Sequence, residues 1–205
     1  MYSPPYNQLK DRAELLAFMR ANGFPALVTA SGGKLAASHL PVQVREEGER
    51  IVLDMHMAKN NRQWRAFGAD EVMVIFSGPH AYVSPRWYEE KERVPTWNYA
   101  AVHAYGVPKM VEDKARKHAN QRQLVAILDA QWLPQFDGLK PEYVDMMLNG
   151  IVNFEIPVAR VETRWKLSQN RGRREMELIA EALEKSADTA ERALAALTRR
   201  HLVDK

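Results

Sequence analysis

Phe24-Pro25-Ala26-Leu27-Val28-Thr29-Ala30-Ser31-Gly32-Gly33-Lys34-Leu35-Ala36-Ala37-Ser38-His39 is the stretch whose reading decides the fold. An apolar run, Phe24 to Thr29, meets the turn Ser31-Gly32-Gly33, and extended sequence resumes from Leu35 to Val44, which is a hairpin pattern. Pro41 has no amide proton to give a ladder, so it belongs at a strand edge or bulge. Working outward, Glu46-Glu47-Gly48-Glu49 turns the chain into a strand over Ile51 to His56. A short helix is expected over Asn60 to Phe67, then a buried strand, Val72 to Phe76. Further strands are expected at Ala81 to Val83, Thr96 to Val111 and Val152 to Val161, with a loop at Ser84 to Val94.

Helices frame these strands. Residues 10–22 carry a capping box (Asp11, Glu14), an apolar face (Leu15, Phe18, Met19) and an Asn22-Gly23 stop. Residues 113–130 and Pro141 to Leu148 are also helical in pattern, the latter with proline in its first turn. From Arg173 to about His201, Ile179, Leu183, Ala187, Ala190, Leu194 and Leu197 recur at helical spacing, and Asp188 with Glu191 is placed to restart the helix after a break. Hairpin-linked strands outnumber helices in the first 110 residues, and no βαβ rhythm occurs. The expectation is an α+β, mainly β chain: an antiparallel barrel over 1–172 and an amphipathic helical extension over 173–205.

The 205 residues contain no cysteine, which excludes disulfides, thiolate metal sites, iron–sulfur clusters and thiol catalysis. Net charge is +3 and unevenly spread. Residues 1–163 hold 19 basic and 19 acidic side chains, whereas 164–205 hold 10 and 7. The opening Met1-Tyr2-Ser3-Pro4-Pro5 has no basic start leading into an apolar run, and no stretch approaches the roughly 18 apolar residues of a membrane span. A cytoplasmic protein with no membrane partner is expected.

Three constellations bear on chemistry. At His56-Met57-Ala58-Lys59-Asn60-Asn61-Arg62-Gln63-Trp64 a strand runs into a helix start, offering amide protons with Lys59 and Arg62. That suits a phosphate or carboxylate, or is simply a capped surface helix. No Walker or GxGxxG pattern is present. The four histidines His39, His56, His80 and His103 fall at or near expected strand ends, and their spacing matches no local metal motif. Seven of eighteen aromatic residues lie within 76–105, interleaved with Pro79, Pro85 and Pro95. Such a block serves either as flat walls for a heteroaromatic ligand or as a core or dimer interface. No GxSxG elbow or identifiable carboxylate pair points to hydrolysis.

Five blocks, in order, resemble the signatures of the PaiB family of FMN-binding negative transcriptional regulators: Ser38-His39-Leu40-Pro41; His56 to Trp64; Gly78-Pro79-His80-Ala81-Tyr82-Val83-Ser84-Pro85; Val94-Pro95-Thr96-Trp97-Asn98-Tyr99; and Lys166-Leu167-Ser168-Gln169-Asn170-Arg171. The resemblance implies the FMN-binding split barrel of pyridoxamine-phosphate oxidases, with FMN held at a homodimer interface. It implies that Ser38, His39 and Leu40 border the flavin, that Ala58, Lys59 and Asn60 occupy the phosphate turn, that His56 is also cofactor-binding, and that Trp97, Asn98 and Tyr99 approach from the dimer interface. Lys166, Ser168 and Gln169 would close over the cofactor, with lysine standing where oxidase relatives carry an arginine; the charge is kept and the bidentate fork lost.

The expected function is therefore an FMN-binding transcriptional regulator acting on protease or sporulation-type genes. A flavin-dependent oxidoreductase of the same superfamily and a haem-binding split barrel using the histidines are the alternatives; no metal site is expected. DNA, if contacted, would meet Arg164, Arg171, Arg173 and Arg174, since Arg160 to Arg174 holds six basic residues and one acid. No helix-turn-helix or zinc-finger signature is present.

Overall fold

The computed structural model describes residues 1–202; the last three positions of the expected C-terminal extension, 203–205, lie outside the described residues. Among the described residues nine strands form two sheets. They are β1 (Ala26–Ser31), β2 (Lys34–His39), β3 (Val42–Glu47), β4 (Arg50–Ala58), β5 (Val72–Val83), β6 (Thr96–Gly106), β7 (Lys109–Val111), β8 (Ile151–Pro157) and β9 (Arg160–Lys166). The order is β2-β1-β5-β6-β9 in the five-stranded sheet and β3-β4-β8-β7 in the four-stranded one. Six α-helices accompany them: α1 (Arg12–Ala21), α2 (Lys114–Leu128), α3 (Leu133–Asp137), α4 (Pro141–Asn149), α5 (Arg173–Glu184) and α6 (Thr189–Arg200). No helix among the described residues is long and apolar enough to cross a membrane.

The chain clusters into two compact units, one of residues 19–76 and 104–161, the other of 1–18, 77–103 and 162–205. In the first, the hairpin read from sequence is present as β1 and β2, in register from Ala26 opposite His39 to Ser31 opposite Lys34. Gly32 and Gly33 both take positive φ, 55° and 75°, which a tight two-residue hairpin turn demands and side chains resist. β3 pairs with β4 and β4 with β8, both antiparallel. Leu53, Met55, Met57, Val152, Phe154 and Ile156 are buried between them and the rest of the unit. The opposite face of β4 and β8 is polar. There Arg45 bonds Asp54 at 2.7 Å, Arg45 and Arg116 both reach Glu155, and Gln43 donates to the α2 carbonyl of Asn120 at 2.5 Å.

In the second unit α5 and α6 pack against each other. Met176, Ile179, Ala180, Leu183, Leu194 and Ala195 are fully buried, and each of the larger side chains contributes about 1.5–3 kcal/mol by leaving water. The break falls after Glu184, and Asp188 caps α6 by accepting from Ala190 N at 2.7 Å, as its sequence position requires. Phe18 lies 4.7 Å from buried Trp165, centroid to centroid.

Five strand or helix boundaries differ from the sequence reading. The extended run expected over 35–44 is two strands in different sheets, β2 and β3, separated at Leu40-Pro41, where the proline cannot donate to a ladder. Residues 72–76 and 81–83 belong to one strand, β5, which runs through Gly78-Pro79. β1 pairs only with residues 73–75 of it, so the proline's missing amide proton breaks no bond on that side. The strand expected over 96–111 is two, because Pro108 interrupts it and β7 joins β8 in the other sheet. The strand expected over 152–161 ends at Pro157, and β9, whose alternating Arg160, Glu162, Arg164 and Lys166 disguise it, follows separately. The short helix after β4 is a 3-10 turn, Arg62–Ala66.

At Gly106 a Cβ would lie 2.3 Å from Pro157 O and 2.8 Å from Ile156 Cγ2. Gly106→Ala should therefore destabilise by about 1–3 kcal/mol through overpacking, whereas Gly68→Ala, with open space around it, should stay within about 0.5 kcal/mol of wild type. Urea midpoints compare the two; equal midpoints would refute the close approach.

Candidate functional site

The residues singled out from sequence fall into two groups, one in each unit. The first surrounds the turn after β4. Lys59 N donates to Gly150 O at 2.9 Å, and Asn61 N closes the turn onto Ala58 O at 2.9 Å. Asn61 then works in two directions: its Oδ1 accepts from Gln63 N at 3.1 Å, and its Nδ2 donates to Ser38 Oγ on β2 at 2.8 Å. Trp64 Nε1 donates to Lys59 O at 3.1 Å. Gln63 is buried beneath, its Nε2 within reach of Leu27 O (3.0 Å), Ala36 O (3.2 Å) and Thr29 Oγ1 (3.3 Å). The turn thus carries the exposed side chains of Ala58, Lys59, Asn60 and Arg62 on a backbone fixed from three sides.

This alters the electrostatic argument for the turn. The amides of Lys59, Asn61 and Gln63 already have acceptors, and five residues of 3-10 helix supply little dipole. What the turn offers an anion is the Lys59 ammonium and its neighbour Arg62. His39 is exposed at the end of β2 with its ring 5.9 Å from Phe24, while Leu40 is buried. His56 points to the other side, into a cavity beneath α4, and burial holds its imidazole below the ordinary histidine range.

The second group surrounds the end of β9. Asn98 is fully buried and donates to Ser168 Oγ at 3.0 Å, with the Ser168 hydroxyl 3.2 Å from Asn98 Oδ1. Ser168 is the non-glycine residue with positive φ among the described residues, at 67°. Gln169 braces the same corner, accepting from Leu167 N at 2.9 Å and donating to Trp165 O at 2.5 Å. Lys166 Nζ turns back to Trp97 O at 2.5 Å and to Thr96 Oγ1. Partial burial, and then the like charges of Arg164 and Arg171, push its pKa below the usual lysine range. Trp97 is half exposed, with His80 at 5.8 Å and Tyr82 at 6.3 Å between centroids. Asn98 and Ser168 bond each other and so position this corner.

The histidines do not share one setting. His80 and His103 lie within β5 and β6 and not at strand ends. Among the described residues no group of three or more His, Asp or Glu could hold a metal ion. Of the arginines assigned to a polyanion, Arg164 donates to Tyr2 O and lies 5.6 Å from the Tyr99 centroid. Arg171 lies 5.7 Å from that of Tyr88, Arg173 pairs with Glu177 at 3.0 Å, and Arg174 with Glu89 at 2.8 Å. Asn61 and Gln63, which hold the Lys59 turn, were visible only as members of the motif.

The sequence model of the family described as "Putative FMN-binding domain" matches residues 1–160. The "Protease synthase and sporulation protein PAI 2" of Bacillus subtilis is 36% identical over 197 residues, covering 90% of this chain and 89% of that one. The chain belongs to the FMN-binding PaiB family. FMN is accordingly its cofactor. Two solved structures share the fold of this PaiB-family chain at low identity. The flavocytochrome Anf3 from Azotobacter vinelandii has a TM-score of 0.62 and 16% identity, covering 78% of this chain and 69% of that one. The FAD and heme binding protein from Mycobacterium smegmatis has a TM-score of 0.61 and 12% identity, covering 78% and 73%. The fold is the antiparallel split barrel expected from the motif blocks.

The donor set fits a mononucleotide. A flavin phosphate needs a fixed cation with hydroxyl or amide donors beside it, and Lys59, Asn60 and the Ser38–Asn61 pair are of that kind. For the positioning pair, Asn98→Ala should cost about 1–3 kcal/mol by leaving the buried Ser168 hydroxyl without its partner. Thermal unfolding measures the loss; an unchanged midpoint would show that Ser168 is held by its backbone alone.

Proposed function

We propose that the protein is a homodimeric FMN-binding regulator in which Lys59 holds the FMN phosphate and a second copy covers the face bearing Trp97. The observation that carries the phosphate assignment is the Lys59 turn, an exposed ammonium on a backbone immobilised by Asn61, Gln63 and Trp64. A fixed backbone limits the ordering cost of binding to the Lys59 side chain itself, and its charge-assisted bond to phosphate is of the strong kind. Bound FMN supplies reversible hydride and electron acceptance. This chain's part is to bind and orient it: Lys59 neutralises phosphate charge, Asn60 and the Ser38 hydroxyl are placed to donate hydrogen bonds, and Gln63 keeps the turn seated on the hairpin.

The dimer reading is supported by the exposure of Trp97, Tyr82 and Val94, 50%, 45% and 67%, since aromatic side chains left half in water are typical of interface cores. The regulatory reading is supported by kinship with the Bacillus subtilis protease synthase and sporulation protein, and by the role attached to the family. Arg164, Arg171, Arg173 and Arg174 all have partners within their own unit, which favours control through the flavin or a protein partner over direct operator contact.

Lys59→Ala should weaken FMN by about ten- to a hundred-fold and leave riboflavin, which lacks the phosphate, nearly unaffected. Fluorescence titration of both ligands tests this, and equal losses would remove Lys59 from the phosphate site. Trp97→Ala should weaken self-association by about thirty-fold, the scale of an interface anchor. Sedimentation velocity gives the answer: a monomeric wild type, or an unchanged dimer in the variant, would overturn the assignment.

A further inference from the structure

Over its fifteen residues, Lys114–Leu128, α2 fully buries none. A helix that packs closely on a sheet seals an apolar stripe against it. α2 stands off instead, and a cavity of about 280 Å³ is left between it, the 130–132 turn, α3, α4 and the strands β4 and β8. α4 forms the roof: Tyr143 and Met147, then Val144 and Leu148, are spaced four apart and so share one face of the helix. Trp132 and Phe136 make a side wall, their rings edge to face with 5.8 Å between centroids. The mouth is open, because Trp132, Tyr143 and Met147 are all between a third and a half exposed.

Two polar side chains line the space itself, His56 from β4 and Gln121 from α2. Neither has a hydrogen-bond partner among the described residues, and none of their polar atoms is sealed away by packing. No lysine, arginine, aspartate or glutamate is among the described walls. The acids on the same face of β4 and β8, Asp54 and Glu155, are taken up by Arg45 and Arg116. Burial holds the His56 imidazole below the ordinary histidine range, so at neutral pH the ring is uncharged, with one nitrogen donating and the other accepting.

These walls select their occupant. Aromatic rings and a thioether favour a flat ring. A neutral imidazole and a carboxamide, each both donor and acceptor, match a neutral group that itself donates and accepts. A carboxylate would give up its hydration with no cation to replace it. We propose that this cavity is a binding site for an uncharged aromatic amide of one or two rings: the ring packs against Trp132, Phe136 and Met147, and the amide bonds to Gln121 and His56. The site does not rest on the Lys59 assignment, and it gives the proposed regulator a small-molecule input besides FMN.

The probe is benzamide, with benzoate as its charged counterpart and acetophenone as the ring and carbonyl without the N–H. Each is titrated into the full-length, FMN-loaded protein by ligand-observed NMR, and FMN binding to every variant is followed separately by fluorescence. Benzamide should bind saturably and one to one, acetophenone about five- to ten-fold more weakly, the scale of one hydrogen bond, and benzoate not measurably. Gln121→Leu, on a helix that buries none of its residues, should bring benzamide down to the acetophenone level. Met147→Trp fills the mouth and should abolish benzamide binding with FMN affinity unchanged; if that variant does not fold, Gln121→Leu decides alone. No saturable benzamide binding at millimolar concentration, acetophenone or benzoate bound as well as benzamide, or undiminished binding by either folded variant overturns the proposal. Loss of both FMN and benzamide in a folded Met147→Trp overturns it too, by making the cavity part of the flavin site. A wild-type chain that binds benzamide but not FMN upholds this site and sinks the flavin assignment instead.

Discussion

Gln63 has two amide protons and three acceptors within 3.3 Å, the carbonyls of Leu27 and Ala36 and the hydroxyl of Thr29. All three belong to the β1–β2 hairpin. Its own oxygen has no partner among the described residues, so the nitrogen alone fixes the side chain's orientation. A buried amide cannot exchange such bonds for water without crossing the desolvation barrier that put them there, at about 1–3 kcal/mol. The turn after β4 is therefore part of the hairpin in mechanical terms, although eighteen or more residues separate them in sequence. That anchor, together with the Lys59 N–Gly150 O bond and the β4–β8 ladder, fixes the placement of Lys59 and of Asn61 against Ser38.

The other unit repeats the device with different residues. Asn98 is the buried amide, Ser168 its partner, and the corner it fixes includes Lys166. Here the backbone records the cost, since a left-handed serine is strained by about 1–3 kcal/mol and persists only where surrounding bonds over-determine it. Gln169 supplies two of those bonds. In both corners the residue of interest for a ligand is a lysine, and the backbone that carries it is held by a neutral amide set beside it. Lys59 is left reaching into solvent, whereas Lys166 is spent on Trp97 O and Thr96. The two lysines are chemically alike and structurally opposite, which favours the first as the one that binds an anion.

Much of this was legible in the chain. The Gly32-Gly33 hairpin, the Asp11 and Asp188 caps and the apolar faces of α5 and α6 follow from local rules, because a turn or a cap is decided by the few residues in it. β9 was not legible, since its outward Arg160, Glu162, Arg164 and Lys166 mimic a loop, and only Thr163 and Trp165 face inward. Nor was the continuity of β5, where tolerance of Pro79 depends on how far β1 extends alongside, a fact of tertiary register. The roles of Asn61 and Gln63 could be suspected from their place in a motif, but not assigned, because their partners lie on a hairpin more than twenty residues away. His56 illustrates the limit from the other side: strand alternation separates it from Met55 and Met57, but nothing local says that the face it occupies is roofed by α4.

The basic C-terminal segment shows how charge counting and charge placement diverge. Exposed ion pairs such as Arg173–Glu177 and Arg174–Glu89 are worth only about 0.2–1 kcal/mol each, so a phosphate could displace either glutamate at little cost. Arg164 and Arg171 are held differently, by a backbone carbonyl and by the faces of Tyr2, Tyr99 and Tyr88, and a polyanion would have to strip them from those rings. The two ion-paired guanidinium groups at the start of α5 would support weak, salt-sensitive association but lack the forked, preorganised geometry that reads a base edge. The regulatory role proposed above thus has more physical support in a bound small molecule altering the surface of the chain than in an operator-reading face of its own.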